Sequence, residues 1–247
     1  MTTGNTPDAM SSADRPHSGA SAFMRLALFD LDHTLIPMDS DHAWGEFTMA
    51  LGWTDPQVFS RRNDAFYEQY KAGTLNIHEY IFFATEAMRR RGATDSIAAN
   101  DQYMRAIVLP AIKEQALALV RWHQQSGDEV VIITATNEFV TRPIADAFGV
   151  QELLAVELER QQVADGSTWF TGRIRGVPSF REGKVERINQ WLARRNLTLA
   201  DVHSTFYSDS INDLALMERV TKPVATNPDA RLRAIALQRD WRILDLF

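Results

Sequence analysis

No cysteine occurs among the 247 residues of the chain. Its absence excludes disulfide bonds, thiolate metal sites and a cysteine nucleophile. The chain also has no apolar run near the roughly 18–20 residues that span a bilayer, and residues 1–22 lack the basic start and apolar stretch of a secretory signal. We therefore expect a soluble, cytoplasmic protein with no membrane partner and a disordered leader over residues 1–22.

A large excess of positive charge is missing as well. The net charge is −6, whereas a general nucleic-acid-binding protein is expected to present a basic face. We therefore expect no nucleic-acid partner. An anionic small molecule stays compatible with this charge, because a metal and a few local cations reverse the potential inside a cleft. The oligomeric state is not indicated by the sequence.

The chain length suits one large domain, or a core with a smaller inserted one. Apolar, strand-like runs alternate with helical patterns, which predicts an α/β fold with a parallel sheet. Strands are predicted at residues 26–29, 129–133, 204–207, 223–225 and 242–245, and helices at 113–125, 185–195 and 212–219. A β-hairpin is predicted from the segments 156–161 and 169–174.

About a hundred residues separate the first two predicted strands, far more than an ordinary connection. They carry four helical patterns, at residues 40–51, 56–71, 77–91 and 97–108. We therefore predict a core formed by residues 23–36 and 110–247, with an inserted helical cap over residues 37–109. The aromatic side chains of the cap recur at helical spacing, and we expect them to form the cap's own core rather than to line a ligand pocket: Trp44, Phe47, Trp53, Phe59, Phe66, Tyr67, Tyr70, Tyr80, Phe82 and Phe83.

The first predicted strand ends in a pair of carboxylates. Its apolar run stops at Asp30, and Asp32 and Thr34 follow at alternate positions. Alternate side chains share a face of a strand, and open α/β sheets place their sites at the carboxyl ends of the strands. Two adjacent carboxylates repel each other unless a cation, a proton or a donor relieves them. The alternative interpretation is a strand end followed by an Asp-rich turn.

Three further polar positions follow in order along the chain. Thr134 comes after the second predicted strand, Lys184 begins a helix, and the segment Ser208-Asp-Ser-Ile-Asn-Asp213 comes after the third strand. Taken singly, each has a structural interpretation, such as a strand end, a solvated lysine or an acid in the first turn of a helix. Together they supply the nucleophile, acid–base partner, cation site and phosphoryl donors that transfer to a carboxylate requires.

The order D-x-D-x-T, Thr, Lys and S-D-x-x-N-D resembles the haloacid dehalogenase superfamily of phosphohydrolases, and the resemblance covers about residues 25–230. The long insertion after the first motif is similar to that of the phosphoserine-phosphatase-like branch. The resemblance implies a Rossmann-like, doubly wound parallel sheet with an inserted helical cap. It also implies a Mg²⁺-dependent phosphatase that hydrolyses a small phosphomonoester through an aspartyl-phosphate intermediate.

The same resemblance implies the roles of individual residues. Asp30 would be the nucleophile and Asp32 the acid–base residue. Mg²⁺ would be held by the Asp30 carboxylate, the Asp32 backbone carbonyl and Asp209. Thr134 and Lys184 would hold the phosphoryl oxygens. In the last motif, Asp213 would position Lys184 or a metal-bound water, and Asn212 would make polar contacts near the phosphate.

The choice of substrate is expected to lie with the cap. Asp39 falls where the branch carries an acid that binds a substrate ammonium group, although the residue equally suits a helix cap. Arg61 and Arg62 are expected to be solvated rather than to bind substrate, and His33 to shape its loop. Phosphoserine and histidinol phosphate both fit such a site, and a sugar phosphate or lipid headgroup stays possible. A non-catalytic or regulatory binding module is the alternative function.

Overall fold

The computed structural model describes residues 23–163 and 166–247. The predicted leader, together with residues 164 and 165 of the predicted hairpin turn, lies outside the described residues. Within the described ranges the chain forms eight strands: β1 (Met24–Phe29), β2 (Glu129–Asn137), β3 (Glu152–Val156), β4 (Leu158–Gln162), β5 (Thr168–Ile174), β6 (Val202–Ser208), β7 (Lys222–Thr226) and β8 (Arg242–Leu244).

Six of these strands form one sheet in the order β3-β2-β1-β6-β7-β8. Every neighbouring pair in it is parallel, which confirms the predicted parallel sheet. The strand β1 lies near the middle, and its last residue, Phe29, is paired with Ile132 of β2 and Tyr207 of β6. The carboxyl ends of these three strands therefore meet at one edge. The strands β4 and β5 form the predicted antiparallel hairpin.

Helices connect and cover the strands. Within the described ranges they are α1 (Ser40–Ala50), α2 (Pro56–Ala72), α3 (Ile77–Ala84), α4 (Glu86–Tyr103), α5 (Leu109–Ala111), α6 (Glu114–Gln125), α7 (Glu138–Ala147), α8 (Glu182–Ala193), α9 (Leu214–Met217) and α10 (Ala230–Gln238). A π-helix spans Met104–Val108, and 3₁₀ turns span Leu199–Asp201 and Ile211–Asp213. No helix in the described part of the chain has the length and apolar character needed to cross a membrane.

The central strand is buried on both faces. Ala27 and Phe29 belong to one hydrophobic cluster, which includes side chains of α6 and α7. Leu26 and Leu28 belong to a second cluster, which includes side chains of α8, α9 and α10. The alternation follows from the two-residue period of a strand. Helices thus cover both faces of the sheet, which confirms the doubly wound α/β fold.

The insertion between β1 and β2 contains α1 to α4. Its buried side chains Trp44, Ile81 and Tyr103 join the same cluster as Phe29. The hairpin takes part as well, because the indole of Trp169 donates to the backbone carbonyl of Met88 in α4, at 3.0 Å. The aromatic side chains of the insertion do pack against one another, as in the pair Phe59 and Phe83, but their cluster is continuous with the core and is not a separate one. The domain boundaries at residues 37 and 109 stay a prediction.

Two predicted element boundaries were wrong. The second strand does not end at residue 133 but continues through Thr134 to Asn137, with irregular pairing to β3 between Ile133 and Asn137. The short strand β3 was not predicted, and only its last residue, Val156, fell within a predicted strand. The irregular pairing turns the end of β2 so that Asn137 caps α7, accepting from two backbone amides of that helix.

The helices of the insertion are also divided differently from the prediction. The segment 77–91 is interrupted at Thr85, whose hydroxyl donates to the Ile81 carbonyl at 2.7 Å and closes α3. The predicted helix at 97–108 corresponds to the second of two helical stretches that are joined within α4 (Glu86–Tyr103), and a π-helix follows it. Within α4 the backbone kinks at Gly92, which has φ 81° and ψ −178°.

Replacing Gly92 with alanine tests this kink. The backbone conformation at Gly92 is one that essentially only glycine adopts, while a Cβ there would meet no neighbouring atom within 4 Å. We therefore expect Gly92→Ala to lower the free energy of unfolding by about 1–3 kcal/mol through backbone strain alone. Urea denaturation measures the loss. Thr94→Ala, at an exposed site in the same helix, is the control, and an equally small effect of both substitutions would contradict the kink.

Candidate active site

The candidate site begins where β1 ends. The backbone amide of Asp30 still donates to the Tyr207 carbonyl at 2.9 Å, which extends the pairing of β1 and β6 by one residue. The side chain of Asp30 is 5% exposed. Its carboxylate is therefore fixed at the edge of the sheet, where the sequence placed it, and it requires polar partners because it is removed from water.

The main partner of Asp30 is Lys184 in the first turn of α8. The Nζ atom of Lys184 donates to Asp30 Oδ1 and to Asp213 Oδ2, at 2.7 Å in both cases, and the side chain is 2% exposed. Burial alone would lower the pKa of Lys184, but the charges of Asp213 and Asp30 raise it above its ordinary value. Lys184 is therefore a charged, buried ammonium group between two carboxylates and not a solvated surface lysine.

The chain reaches this position through a tight approach before α8. A Cβ atom on Gly183 would lie 2.0 Å from the carbonyl oxygen of Pro178, so no larger residue fits without moving the backbone. Arg181 has φ 54° and ψ −123°, an uncommon conformation for a residue with a side chain. Glycine is therefore required in the Glu-Gly-Lys segment by the close packing that places Lys184 in the site.

Asp213 completes the group around Lys184. Its Oδ2 atom also accepts from the hydroxyl of Ser208, at 2.7 Å. Burial raises the pKa of Asp213 to about 6, against the lowering effect of Lys184. Because this oxygen is already bound by Lys184 and Ser208, the geometry suits the predicted role of positioning the lysine. A direct part in holding a metal stays a prediction.

Asp209 lies beside Asp30, across a shared hydroxyl group. The Oγ1 atom of Thr34 is 3.4 Å from Asp30 Oδ2 and 3.2 Å from Asp209 Oδ1, and it accepts from the Asp209 backbone amide at 3.1 Å. Thr34 is fully buried. The loop after β1 and the loop after β6 are therefore joined, and the two carboxylates predicted to share a cation are neighbours.

Three carboxylates, those of Asp30, Asp209 and Asp213, surround this one ammonium group. Desolvation raises the pKa of Asp209 well above its ordinary value, and the charges of Asp30 and Asp213 raise it further. The excess of negative charge and the oxygen ligands suit Mg²⁺. Among the described residues, no three His, Cys, Asp or Glu side chains converge as a metal-binding group. The implied ligand set needs only two side chains, Asp30 and Asp209, with the backbone carbonyl of Asp32.

The second carboxylate of the first motif, Asp32, is held by two donors. The Ser40 backbone amide donates to Asp32 Oδ1 and the Thr136 hydroxyl donates to Asp32 Oδ2, both at 2.8 Å. The Ser40 carbonyl in turn accepts from the Tyr103 hydroxyl at the end of α4, also at 2.8 Å. Desolvation, with the nearby Asp39 carboxylate, raises the pKa of Asp32 well above its ordinary value. This shift favours the protonated form of the Asp32 side chain.

Thr134 lines the same cavity as Asp30 and is fully buried. Its hydroxyl accepts from the Thr136 backbone amide at 3.1 Å, and its carbonyl accepts from the Ser179 hydroxyl at 2.5 Å. The hydroxyl proton of Thr134 stays available for another acceptor. This position fits a donor to a phosphoryl oxygen, although Thr134 lies within β2 and not after it.

Asp39 both caps a helix and lies on the cavity wall. Its Oδ1 atom caps α1 by accepting from the backbone amides of Asp41 and His42, at 3.0 and 2.8 Å, and the residue also lines the cavity. Arg61 and Arg62 are exposed, as expected.

His33 belongs to the same cavity wall as Asp39. Its backbone has φ 55°, and its carbonyl accepts from the Asn227 side chain at 3.0 Å, which fits the expected role in shaping the loop.

Asn212 lies at the boundary between the core and the insertion. Its side-chain amide donates to the backbone carbonyl of Tyr70 in α2, at 3.1 Å. This bond ties the last motif to the insertion. The second N–H and the oxygen of this amide stay available, and the contact of Asn212 with substrate stays a prediction.

A cavity opens beside Asp30 and Asp32. Several of its lining residues were not among the predicted site residues, and the aromatic ones had been assigned to a core: Asp41, His42, Asn63, Phe66, Tyr67, Tyr70, Leu75, Ile77 and Tyr80. In the sequence, this wall was indicated only by the two acids Asp39 and Asp41 at the start of a predicted helix. Helix caps and first-turn acids give the same pattern, so it does not distinguish a cavity wall from an ordinary helix start.

Comparisons with known proteins agree with this geometry. The family model described as haloacid dehalogenase-like hydrolase matches residues 27–218. A protein of Neisseria meningitidis serogroup C, named histidinol-phosphatase, is 39% identical over 221 residues, which cover 89% of this chain and 98% of that protein. A phosphoserine phosphatase of Mycobacterium tuberculosis is 30% identical over 222 residues, which cover 89% of this chain and 70% of its own.

Solved structures show the same fold. A protein of unknown function from Bordetella pertussis Tohama I is similar with a TM-score of 0.83 and 47% identity, over 91% of this chain and 99% of its own. A substrate-bound phosphoserine phosphatase is similar with a TM-score of 0.64 and 17% identity, over 90% of this chain and 94% of its own. At that identity the second likeness concerns the fold.

Replacing Lys184 with methionine tests the buried charge group. The substitution removes the ammonium group and leaves Asp30 and Asp213 buried beside each other. We expect the free energy of unfolding to fall by about 3–5 kcal/mol, because the remaining buried charges lose their partner. Chemical denaturation measures it, with exposed Lys113→Met as the matched control. A loss no larger than that of the control would contradict the arrangement.

Proposed function

The chain belongs to the haloacid dehalogenase-like hydrolase family, and from this premise we propose that it is a Mg²⁺-dependent phosphatase of an amine-bearing phosphomonoester. The reaction proceeds through an aspartyl-phosphate on Asp30. One observation carries the proposal: a single buried lysine, Lys184, holds Asp30 in place at the edge of a cavity, with the Asp209 carboxylate beside it.

The first half of the reaction transfers the phosphoryl group to the protein. A carboxylate oxygen of Asp30 attacks phosphorus, and the bond from phosphorus to the ester oxygen breaks. The leaving alkoxide takes the proton of Asp32, whose raised pKa keeps that proton available. Lys184 and the Thr134 hydroxyl donate to the phosphoryl oxygens as charge develops on them.

The second half releases phosphate. Asp32, now a carboxylate, takes a proton from water as the water oxygen attacks phosphorus, and the bond to Asp30 breaks. The two donors that hold Asp32, the Ser40 amide and the Thr136 hydroxyl, stabilise this carboxylate form. One residue thus serves as acid in the first half and as base in the second.

The carboxylates of Asp30 and Asp209, with the Asp32 backbone carbonyl, would hold Mg²⁺. When bound, the cation neutralises the negative charge shared by the carboxylates and the phosphoryl group. Thr34 orients both side-chain ligands through its hydroxyl.

An amine-bearing substrate is supported by the cavity and by the names of relatives. Asp39 places a carboxylate on the cavity wall beside Asp32. The Neisseria relative is named for histidinol phosphate and the Mycobacterium relative for phosphoserine, and both compounds carry an ammonium group near the phosphate ester. A sugar phosphate offers no cation to Asp39. A non-catalytic binding module has no use for the complete set Asp30, Asp32 and Lys184.

Replacing Asp30 with asparagine tests the nucleophile. Asparagine keeps the size of the side chain and an acceptor for Lys184, so we expect the fold to persist while kcat falls by at least roughly 10³-fold. Phosphate release from an aryl phosphate with Mg²⁺ measures it, and Asp64→Asn, at an exposed position of α2, is the control. Wild-type kcat in the Asp30 variant would rule out Asp30 as the nucleophile. Undiminished turnover after a chelator has removed the metal would rule out the requirement for Mg²⁺.

Replacing Asp39 with asparagine tests the ammonium site. Asparagine is as good a helix cap as aspartate, so the variant removes the charge and keeps α1 intact. We expect KM to rise about 10-fold for amine-bearing phosphomonoesters, since a charge-assisted hydrogen bond is weakened. Steady-state kinetics with phosphoethanolamine and an amine-free aryl phosphate measure the difference. An equal rise for both substrates would contradict the role.

A further inference from the structure

The cavity wall contains a second carboxylate, that of Asp41, which no step of the proposed reaction uses. Asp41 is 4% exposed and lines the cavity. Its Oδ1 atom accepts from the side-chain amide of Asn137 at 3.1 Å, whereas its Oδ2 atom is buried with no donor in good hydrogen-bond geometry among the described residues, the Tyr80 hydroxyl being the nearby group that lowers its pKa. A buried acceptor without a donor is costly, so a bound donor at this place gains more than it would at the surface.

The surroundings of Asp41 favour a positively charged donor. Burial raises the pKa of Asp41 to about 7, and the nearby charge of Asp39 adds to the rise, against the lowering effect of Tyr80 and Asn137. A cationic N–H group beside Oδ2 would lower this pKa and hold the side chain as a carboxylate. Among the described residues that line the cavity there is no arginine or lysine. A substrate carboxylate beside Asp39 and Asp41 would therefore meet two acids, and no arginine or lysine of the cavity lining.

The remaining wall is aromatic. The rings of Phe66, Tyr67, Tyr70 and Tyr80 line the cavity, together with the imidazole of His42. His42 and Tyr67 lie with their ring centroids 5.4 Å apart, and His42 is fixed by a contact of 2.9 Å between its Nδ1 atom and Asn63. Aromatic faces favour flat rings and cations over anions. The wall and Asp41 therefore suit the same chemical group, a planar ring that carries an N–H donor.

We propose that Asp41 is a specificity-determining residue that accepts a hydrogen bond from a second nitrogen of the substrate, held on a flat ring. This inference rests on the proposed phosphatase function and narrows its substrate class. The site then selects phosphomonoesters with an ammonium group and a nitrogen ring, and it rejects those with a carboxylate. Histidinol phosphate and phosphoserine share one skeleton, in which an imidazolylmethyl group stands in place of the carboxylate. Of these two compounds, only histidinol phosphate carries the ring nitrogen that this site selects.

The first experiment uses the unmodified protein with Mg²⁺ and three substrates that share the amine. We expect kcat/KM to be highest for histidinol phosphate, at least roughly 10-fold lower for phosphoethanolamine, which lacks the ring, and lowest for phosphoserine. Phosphoserine turnover equal to or above that of phosphoethanolamine would overturn the inference and leave the phosphatase function standing. If none of the three substrates and no aryl phosphate is hydrolysed, the proposed phosphatase function itself is wrong.

The second experiment replaces Asp41 with asparagine. The variant keeps Oδ1 for Asn137 and turns the Oδ2 position into a donor. We expect the ratio of kcat/KM for histidinol phosphate to that for phosphoethanolamine to fall roughly 10- to 100-fold, mainly through KM. Partial loss of folded protein lowers both terms equally and leaves the ratio unchanged. Asp64→Asn, which exchanges an exposed acid of α2, is the matched control, and a ratio in the Asp41 variant equal to that of this control would overturn the inference.

A third measurement does not depend on turnover. L-histidinol, the product without phosphate, should raise the melting temperature of the metal-free wild type more than ethanolamine does, since ligands that bind only the folded state stabilise it. The difference between the two amines should disappear in the Asp41→Asn variant. Equal stabilisation of the wild type by both amines would count against a ring-binding site.

Discussion

The site depends on one constraint, which is that the single buried ammonium group of Lys184 faces a larger number of buried carboxylates. Lys184 reaches Asp30 and Asp213 at 2.7 Å each, and Asp209 is left with a hydroxyl as its only hydrogen-bonding side-chain partner among the described residues. Such a group is stable only when every polar atom is satisfied, because the cost of burying charge is high. The negative charge that remains is what makes the edge of the sheet a place for a divalent cation and a phosphoryl group. The position of Asp30 therefore depends on the same forces that hold the strand ends together.

The insertion is bound to this edge by polar contacts and shares its hydrophobic cluster. The Ser40 amide holds Asp32, the Tyr103 hydroxyl holds the Ser40 carbonyl, and Asn212 holds the carbonyl of Tyr70. The walls of the cavity come from the insertion, while its floor comes from the strand ends. Chemistry and recognition are thus assigned to different parts of the chain that meet at a few hydrogen bonds. Selectivity can change along the walls without disturbing Lys184 and its carboxylates.

The proximity of Asp30 and Asp209 was predictable because the carboxyl ends of parallel strands converge, whereas the position of Lys184 at the start of a helix followed from the family resemblance. The fold class followed from the same alternation of strands and helices. The cavity wall was not predictable, since the spacing that places an aromatic ring in a core also places it against a ligand. Asp41 gave no signal of its own, because an acid in the first turn of a helix is stabilising in any protein. The kink at Gly92 depends on a backbone conformation that a single glycine in a polar segment does not reveal.

The hydrogen bonds that hold Asp32 limit which insertions can be exchanged between such proteins. The donor to Asp32 from the insertion is the backbone amide of Ser40, which every residue except proline can supply, although the fully buried Ser40 side chain limits the size of a replacement. An insertion transplanted from another family member would carry this donor away with it. The graft would restore proton transfer only if its own first helical turn arrived at the same place. The position of the backbone at this junction decides whether two insertions are interchangeable. Sequence identity there is a poor guide to it.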